Sequence, residues 1–121
     1  MWLWRIASGT IEHNGALIGR GYSGHGDGVN NPSMQAAQDV GPIPCGLYNI
    51  STFFTDLEKG PMVAHLWPKI GTNTFGRSGF MIHGDNSQGN ESASHGCIIL
   101  PHTVREMVRD SGDTDLEVVA A

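Results

Sequence analysis

A chain of 121 residues with 39% apolar and 16% charged side chains can bury one core without staples, and a single domain, 1–121, is expected. The formal net charge is −5 and the seven Lys and Arg are scattered, so no basic stripe exists to neutralise phosphates, which argues against a nucleic-acid partner. No apolar run approaches the ~20 residues of a membrane span. Met1–Ala7 lacks the basic and apolar regions of a Sec leader, so the chain is expected to be made in the cytoplasm without one.

Seventeen glycines with so little charge favour a mainly β, loop-rich fold over a helical bundle. In chain order, residues 2–7 place Trp2, Trp4 and Ile6 on one face and read as a strand. Gly9–Glu12 reads as a second, Asn14-Gly15 as a type I′ hairpin turn, and Ala16–Tyr22 as the returning strand. Gly19-Arg20-Gly21-Tyr22-Ser23-Gly24 matches a dinucleotide fingerprint literally, but His25–Pro32 after it is no helix. A Gly-rich surface loop walling a groove is expected instead. Ser33–Asp39 suits one or two helical turns. Pro42, Pro44 and Gly46 make a turn that feeds a strand over Leu47–Phe54.

Asp56–Gly60 is a polar turn, Pro61–Trp67 a strand ending at Pro68, and Ile70–Ser78 a loop. Phe80–Ile82 and Ile98–Leu100 read as short buried strands. Pro101 opens a helix whose Val104, Met107 and Val108 form one apolar stripe, with Arg105, Glu106, Arg109 and Asp110 off it. Gly112 ends that helix, and Leu116–Val119 is the final strand.

The chemistry concentrates around the two short strands. His83 closes the first and Cys97 opens the second, with the polar run Asp85–Ser92 between them. If these strands pair, imidazole and thiol meet at one edge of the sheet. A free thiol titrates near ~8.5, and a histidine within hydrogen-bond reach can take its proton. Gly96 leaves room for a substrate carbonyl, and the backbone N–H groups of Gly96 and Cys97 are candidates for binding the oxyanion. Taken singly, a Cys beside an apolar run is more often a small core residue, and a His at a strand end is more often a satisfied group. The joint pattern is far more restrictive.

Asp85 is a candidate for orienting His83. Ser94 suits a hydrogen bond to the loop backbone or to substrate, and His95 either shapes the oxyanion site, touches substrate or is structural. His13, His25, His65 and His102 read as surface groups or satisfied partners. Cys45, in a turn, reads as incidental. Two cysteines define no disulfide framework, and a Cys45–Cys97 bridge would block the nucleophile.

Ser94-His95-Gly96-Cys97-Ile98, with His83-Gly84 upstream, resembles the signature of the L,D-transpeptidase (YkuD-type) catalytic domain. Pro44-Cys45-Gly46-Leu47-Tyr48-Asn49-Ile50 is similar to the segment preceding that site in the family. The run from Tyr22-Ser23-Gly24 through Asn30-Asn31-Pro32 to Gly41-Pro42-Ile43-Pro44 is closer still to the type VI secretion L,D-transpeptidase effectors. The interval from His83 to Ser94 is shorter than in housekeeping members, and Ile99 stands near where they carry an Arg. The resemblance implies a β-sandwich or open barrel with one short C-terminal helix, acting without a cofactor or metal on peptidoglycan stem peptides. Cys97 is then the nucleophile, His83 the base, Gly96, His95 and Ser94 its support, and Gly84, Asp85 and Tyr22 the substrate contacts. An injected effector needs no Sec leader. It implies a secretion-apparatus component and a cognate immunity protein as partners, with the periplasm of a target cell as the place of action.

Two other readings compete. His83, Asp85, His95 and Cys97, with His102 nearby, are possible zinc ligands of a peptidase, although their spacing matches no common zinc pattern. A Gly-rich β domain can also bind cell wall without performing chemistry.

Overall fold

The computed structural model describes residues 1–88 and 93–121. Gly89, Asn90, Glu91 and Ser92, the remainder of the polar run after Asp85, lie outside the described residues. The fold is mainly β, a nearly closed, barrel-like sheet with one α-helix and short 3-10 turns. Strands β1 (Trp2–Arg5), β2 (Thr10–His13) and β3 (Ala16–Arg20) form the opening meander. Asn14 and Gly15 turn it at φ 50° and 88°, the two positive values that a type I′ turn demands. β1 stops at Arg5 rather than Ala7, yet Ile6 stays fully buried and its N–H is carried by Val119 O.

The remaining strands are β4 (Tyr22–Ser23), β5 (Gly46–Ile50), β6 (Phe54–Asp56), β7 (Gly60–Pro68), β8 (Met81–His83), β9 (Ile98–Ile99) and β10 (Asp115–Val119). Their order is β3-β2-β1-β10-β5-β7-β8-β9-β4, with β6 on β7. The two ends of this order, β3 and β4, are consecutive in the chain and separated by Gly21 alone. That connection is possible only if the sheet curls until its ends approach. Gly21 sits at the closure, where a Cβ would lie 1.9 Å from Ile99 O, so only glycine fits. The strand expected over Ala16–Tyr22 is therefore two strands at opposite ends of the sheet order.

The strand expected over Leu47–Phe54 is also split. β5 pairs with the C-terminal half of β7, whereas β6 pairs with its N-terminal half. Between them Ser51 donates its N–H to His65 O while its Oγ accepts the His65 N–H. Only Pro32–Met34 of the turns expected near Ser33–Asp39 is a 3-10 helix, capped by Asn31.

Trp2, Trp4, Ile11, Tyr48, Leu66, Ile82, Ile98 and Leu116 fill the interior, and Val104 and Val108 of α1 (His102–Ser111) join them. Pro101 stands at the helix N-cap, and Gly112 ends the helix at φ 68°. One expectation reverses here: Met107 is exposed, whereas Arg105, assigned to the polar side, is buried. Its guanidinium donates to the carbonyls of Leu100, Pro61 and Met62, which fixes the helix start against β7.

Candidate active site

β8 and β9 pair in parallel, Ile82 opposite Ile98 and His83 opposite Ile99. Ile82 and Ile98 both point into the core. Alternation then sends His83 to the other face, and extending the register by one residue sets Cys97 on that same face, level with Met81. His83 and Cys97 are thus diagonal neighbours on that face. The two strands are inside the sheet order rather than at its edge, contrary to expectation, because β7 flanks β8 and β4 flanks β9.

The imidazole is held in one tautomer. Its Nδ1 lies 2.8 Å from Gly84 O, and a carbonyl only accepts, so Nδ1 carries the proton and Nε2 the lone pair. Nε2 is buried and finds no partner among the described residues. Burial pulls the His83 pKa below the ordinary histidine value, against the Gly84 carbonyl, which pulls it up; Lys59 and Arg105 pull it further down. The group is a neutral base at neutral pH.

Cys97 is partly buried as a residue. The thiol points at Gly79 O, 3.8 Å away, and is not hydrogen-bonded to His83. Burial raises its pKa; the Met81 backbone N–H, Lys59 and Arg77 act in the opposite direction. The resting pair is a neutral thiol beside a neutral imidazole.

The segment before Cys97 is built around Ser94. Its buried Oγ donates to Cys97 O at 2.7 Å and accepts the N–H groups of Gly24 and Gly96. Of the two roles expected for Ser94, the structure shows the backbone one. The Gly96 N–H, assigned to the oxyanion, is therefore engaged by Ser94, which corrects that part of the expectation. Gly96 itself has φ 130°, and a Cβ there would lie 2.7 Å from the Arg77 guanidinium.

Asp85 does not orient His83: its Oδ1 accepts the Tyr22 hydroxyl at 2.7 Å and the Asn86 N–H at 2.9 Å, and the Gly84 carbonyl holds the imidazole instead. The buried Tyr22 hydroxyl also accepts the Ala93 N–H, so this side chain clamps the segment entering the site. His95 is exposed, stacks on His25 and bonds Asp39 O through Nδ1. No group of three His, Cys, Asp or Glu side chains among the described residues is arranged to hold a metal ion, so His83, Asp85 and His95 do not form the zinc set considered above. Cys45 and Cys97 are both free thiols.

Sequence reasoning missed Arg77, Ser23 and the His25–His95 stack. Arg77 is 4% exposed and donates to the carbonyls of Gln35, Pro42, Gly41 and His95, with its guanidinium 5.6 Å from the centre of the Phe80 ring. Ser23 Oγ accepts the Ile43 N–H and donates to Gly96 O. Both tie the Gly-rich and proline-rich loops to the back of the site. The available signal was an Arg inside a Gly/Thr/Asn loop of a chain with only seven basic residues.

A barrel-like β domain with Ser94-His95-Gly96-Cys97 entering a strand beside the His83 strand is a protein of the L,D-transpeptidase kind. A family model for the Tlde1 domain matches residues 18–120, and the chain belongs to this family of type VI secretion effectors directed at peptidoglycan. Comparison with curated proteins finds no match.

Proposed function

We propose that residues 1–121 form one catalytic domain that cleaves the tetrapeptide stem of peptidoglycan through a Cys97 thioester. The observation that carries this reading is the relation of the two side chains: one face, adjacent parallel strands, and an imidazole whose lone pair is unpartnered and whose other nitrogen is fixed. As Cys97 Sγ attacks the carbonyl carbon of the third residue, at the L-centre of diaminopimelate, the thiol proton passes to His83 Nε2. The C–N bond to the terminal D-alanine then breaks, and Nε2 returns the proton to the departing amine. Water resolving the thioester gives the tripeptide, a D-amino acid gives an exchanged stem, and the side-chain amine of a second stem gives a cross-link.

Two features of the site support this order of events. With both groups neutral at rest, proton transfer accompanies attack rather than preceding it. Ser94, Ser23 and Arg77 hold the loop before Cys97 rigid, which keeps the sulfur aligned without help from substrate. The effector family supports delivery to the periplasm of a target cell, and the proposal includes an immunity protein that protects the producer.

Mass spectrometry of tetrapeptide muropeptides incubated with the wild-type chain and with Cys97→Ala tests the reading. The expected result is tripeptide, or an exchanged stem when D-methionine is added, from the wild type only. Product from Cys97→Ala, or none from the wild type, overturns it.

A further inference from the structure

The face of the sheet that carries His83 and Cys97 continues onto the C-terminal half of β7. Met81 is level with Cys97 on one side and pairs with His65 on the other, so Cys97, Met81 and His65 form one row across the sheet. Two interstrand steps set the Cys97 backbone ~10 Å from that of His65. His65 is the middle of a three-ring stack. The Phe54 ring of β6 lies 4.9 Å from it at 30°, and the Trp67 ring 4.7 Å from it at 28°. Trp67 ends the stack, is 53% exposed and meets no second ring among the described residues. Directly opposite Trp67 on β5 is Asn49, which is exposed and whose amide makes no side-chain hydrogen bond among the described residues. Asp115, the partner of Asn49 on β10, borders this surface in an ion pair with Lys69.

A single exposed Trp on a surface needs no explanation. One that ends an ordered stack, faces a free amide and stands in line with a nucleophile is a built platform. An aromatic face is electronegative, so it attracts the slightly positive C–H groups on the flat side of a pyranose ring. An amide at its edge both donates and accepts, which matches an acetamido group. An apolar side chain seated on the indole would leave Asn49 unpaired, and a simple anion would meet the Asp115 carboxylate. The length of the substrate fits the same place. In an extended stem the carbonyl of the third residue lies about three residues, or ~10 Å, from the sugar that carries the first. We infer that Trp67 and Asn49 bind an N-acetylhexosamine of the glycan strand while the stem attached to it reaches Cys97. The inference rests on the thioester reading above and adds to it a second hold on the polymer, through sugar instead of peptide.

Binding is measured without turnover, by titrating isotope-labelled Cys97→Ala chain and following its indole and side-chain amide resonances. Tetra-N-acetylchitotetraose is the peptide-free probe, and cellotetraose, which lacks acetamido groups, is the control. The expected result is saturable shifts at the Trp67 indole N–H and the Asn49 amide with the probe, and at least fivefold weaker binding of cellotetraose. Trp67→Ala should raise the Kd at least tenfold and Asn49→Ala at least threefold, whereas Trp67→Phe, which keeps a flat ring, should restore most of the first loss. Both side chains are exposed, so neither substitution opens the core. Turnover supplies the second readout. The wild type should favour disaccharide-linked tetrapeptide over free tetrapeptide at least tenfold in kcat/KM, and Trp67→Ala should bring that ratio towards one. Shifts confined to other regions, cellotetraose binding as tightly as the probe, or an unchanged Kd in Trp67→Ala overturns the proposal. Equal use of the two tetrapeptides by the wild type also overturns it and leaves the thioester standing. A wild type that releases no tripeptide, although the probe binds at Trp67, defeats the thioester and leaves the sugar site supported.

Discussion

The Tyr22 hydroxyl donates to Asp85 Oδ1 across 2.7 Å, tying the strand at one end of the sheet order to the segment that follows His83. The same oxygen accepts the Ala93 N–H at 3.0 Å, so one phenol sets both flanks of the interval between base and nucleophile.

Tyr22→Phe keeps the buried ring and removes only that oxygen. Asp85 and the Ala93 N–H lose it, the first a carboxylate that water can reach. A loss of ~1–2 kcal/mol is expected, read as a lowered midpoint in urea unfolding. Tripeptide formation should fall more than stability does, because Ala93 leads directly into Ser94. A variant as active as wild type would show that the clamp does not position the site.

Arg105 is the larger structural commitment. Its guanidinium is buried, has no carboxylate partner among the described residues and is satisfied by the carbonyls of Leu100, Pro61 and Met62. Arg105→Leu leaves those carbonyls unpaired, and ~3 kcal/mol of destabilisation is expected. Gly84, whose added Cβ would lie 2.7 Å from the same guanidinium, links this clamp to the site. Gly84→Ala should therefore cost less than Arg105→Leu, since the far end of a long side chain can shift. Urea unfolding of the two variants checks that order.

What the sequence made legible was local. Asn14-Gly15, the Asp56 turn and the strand ending at Pro68 each rest on a preference that acts within a few residues, and each stands in the structure; of the helix stripe, Val104 and Val108 hold and Met107 does not. The adjacency of the strands that carry His83 and follow Cys97 was also accessible, since both residues flank short apolar runs. Closure was not, because nothing local says that Gly21 turns one strand into two ends of a curled sheet. The Ser94 hydroxyl and the Arg77 guanidinium act across intervals set by that closure, so their partners were unreadable. For the same reason Gly96 offered its N–H to an oxyanion on paper, whereas in the fold Ser94 already accepts it.

Arg77 separates charge from geometry. It holds four carbonyls, and its charge favours the Cys97 thiolate. Arg77→Lys keeps the charge but cannot fork across those carbonyls. Arg77→Met loses both. Both variants should lose ~2–3 kcal/mol of stability. The pH midpoint for iodoacetamide alkylation of Cys97 should stay near wild type in Arg77→Lys and move upward in Arg77→Met. Equal midpoints in the two variants would show that the charge does not reach the sulfur.

The acid limb of activity should report His83. Its pKa lies below the ordinary histidine value because burial disfavours the cation. The base therefore stays neutral as pH falls through ~6.5, and kcat/KM for tripeptide release should drop only at lower pH. The Cys97 thiol is shifted the other way by burial, so its alkylation in a Cys45→Ala background should rise with a midpoint above the ordinary thiol range. Stability follows the same proton. Between the lowered and the ordinary pKa the unfolded chain binds more protons at this imidazole than the folded one does, so folding weakens as pH falls through that window. His83→Gln cannot take up the proton and should flatten this part of the Tm profile between pH 7 and 5, while abolishing tripeptide release. An alkylation midpoint at or below the ordinary thiol value would indicate a preformed thiolate–imidazolium pair and would falsify the neutral resting state on which the proposed order of proton transfer depends.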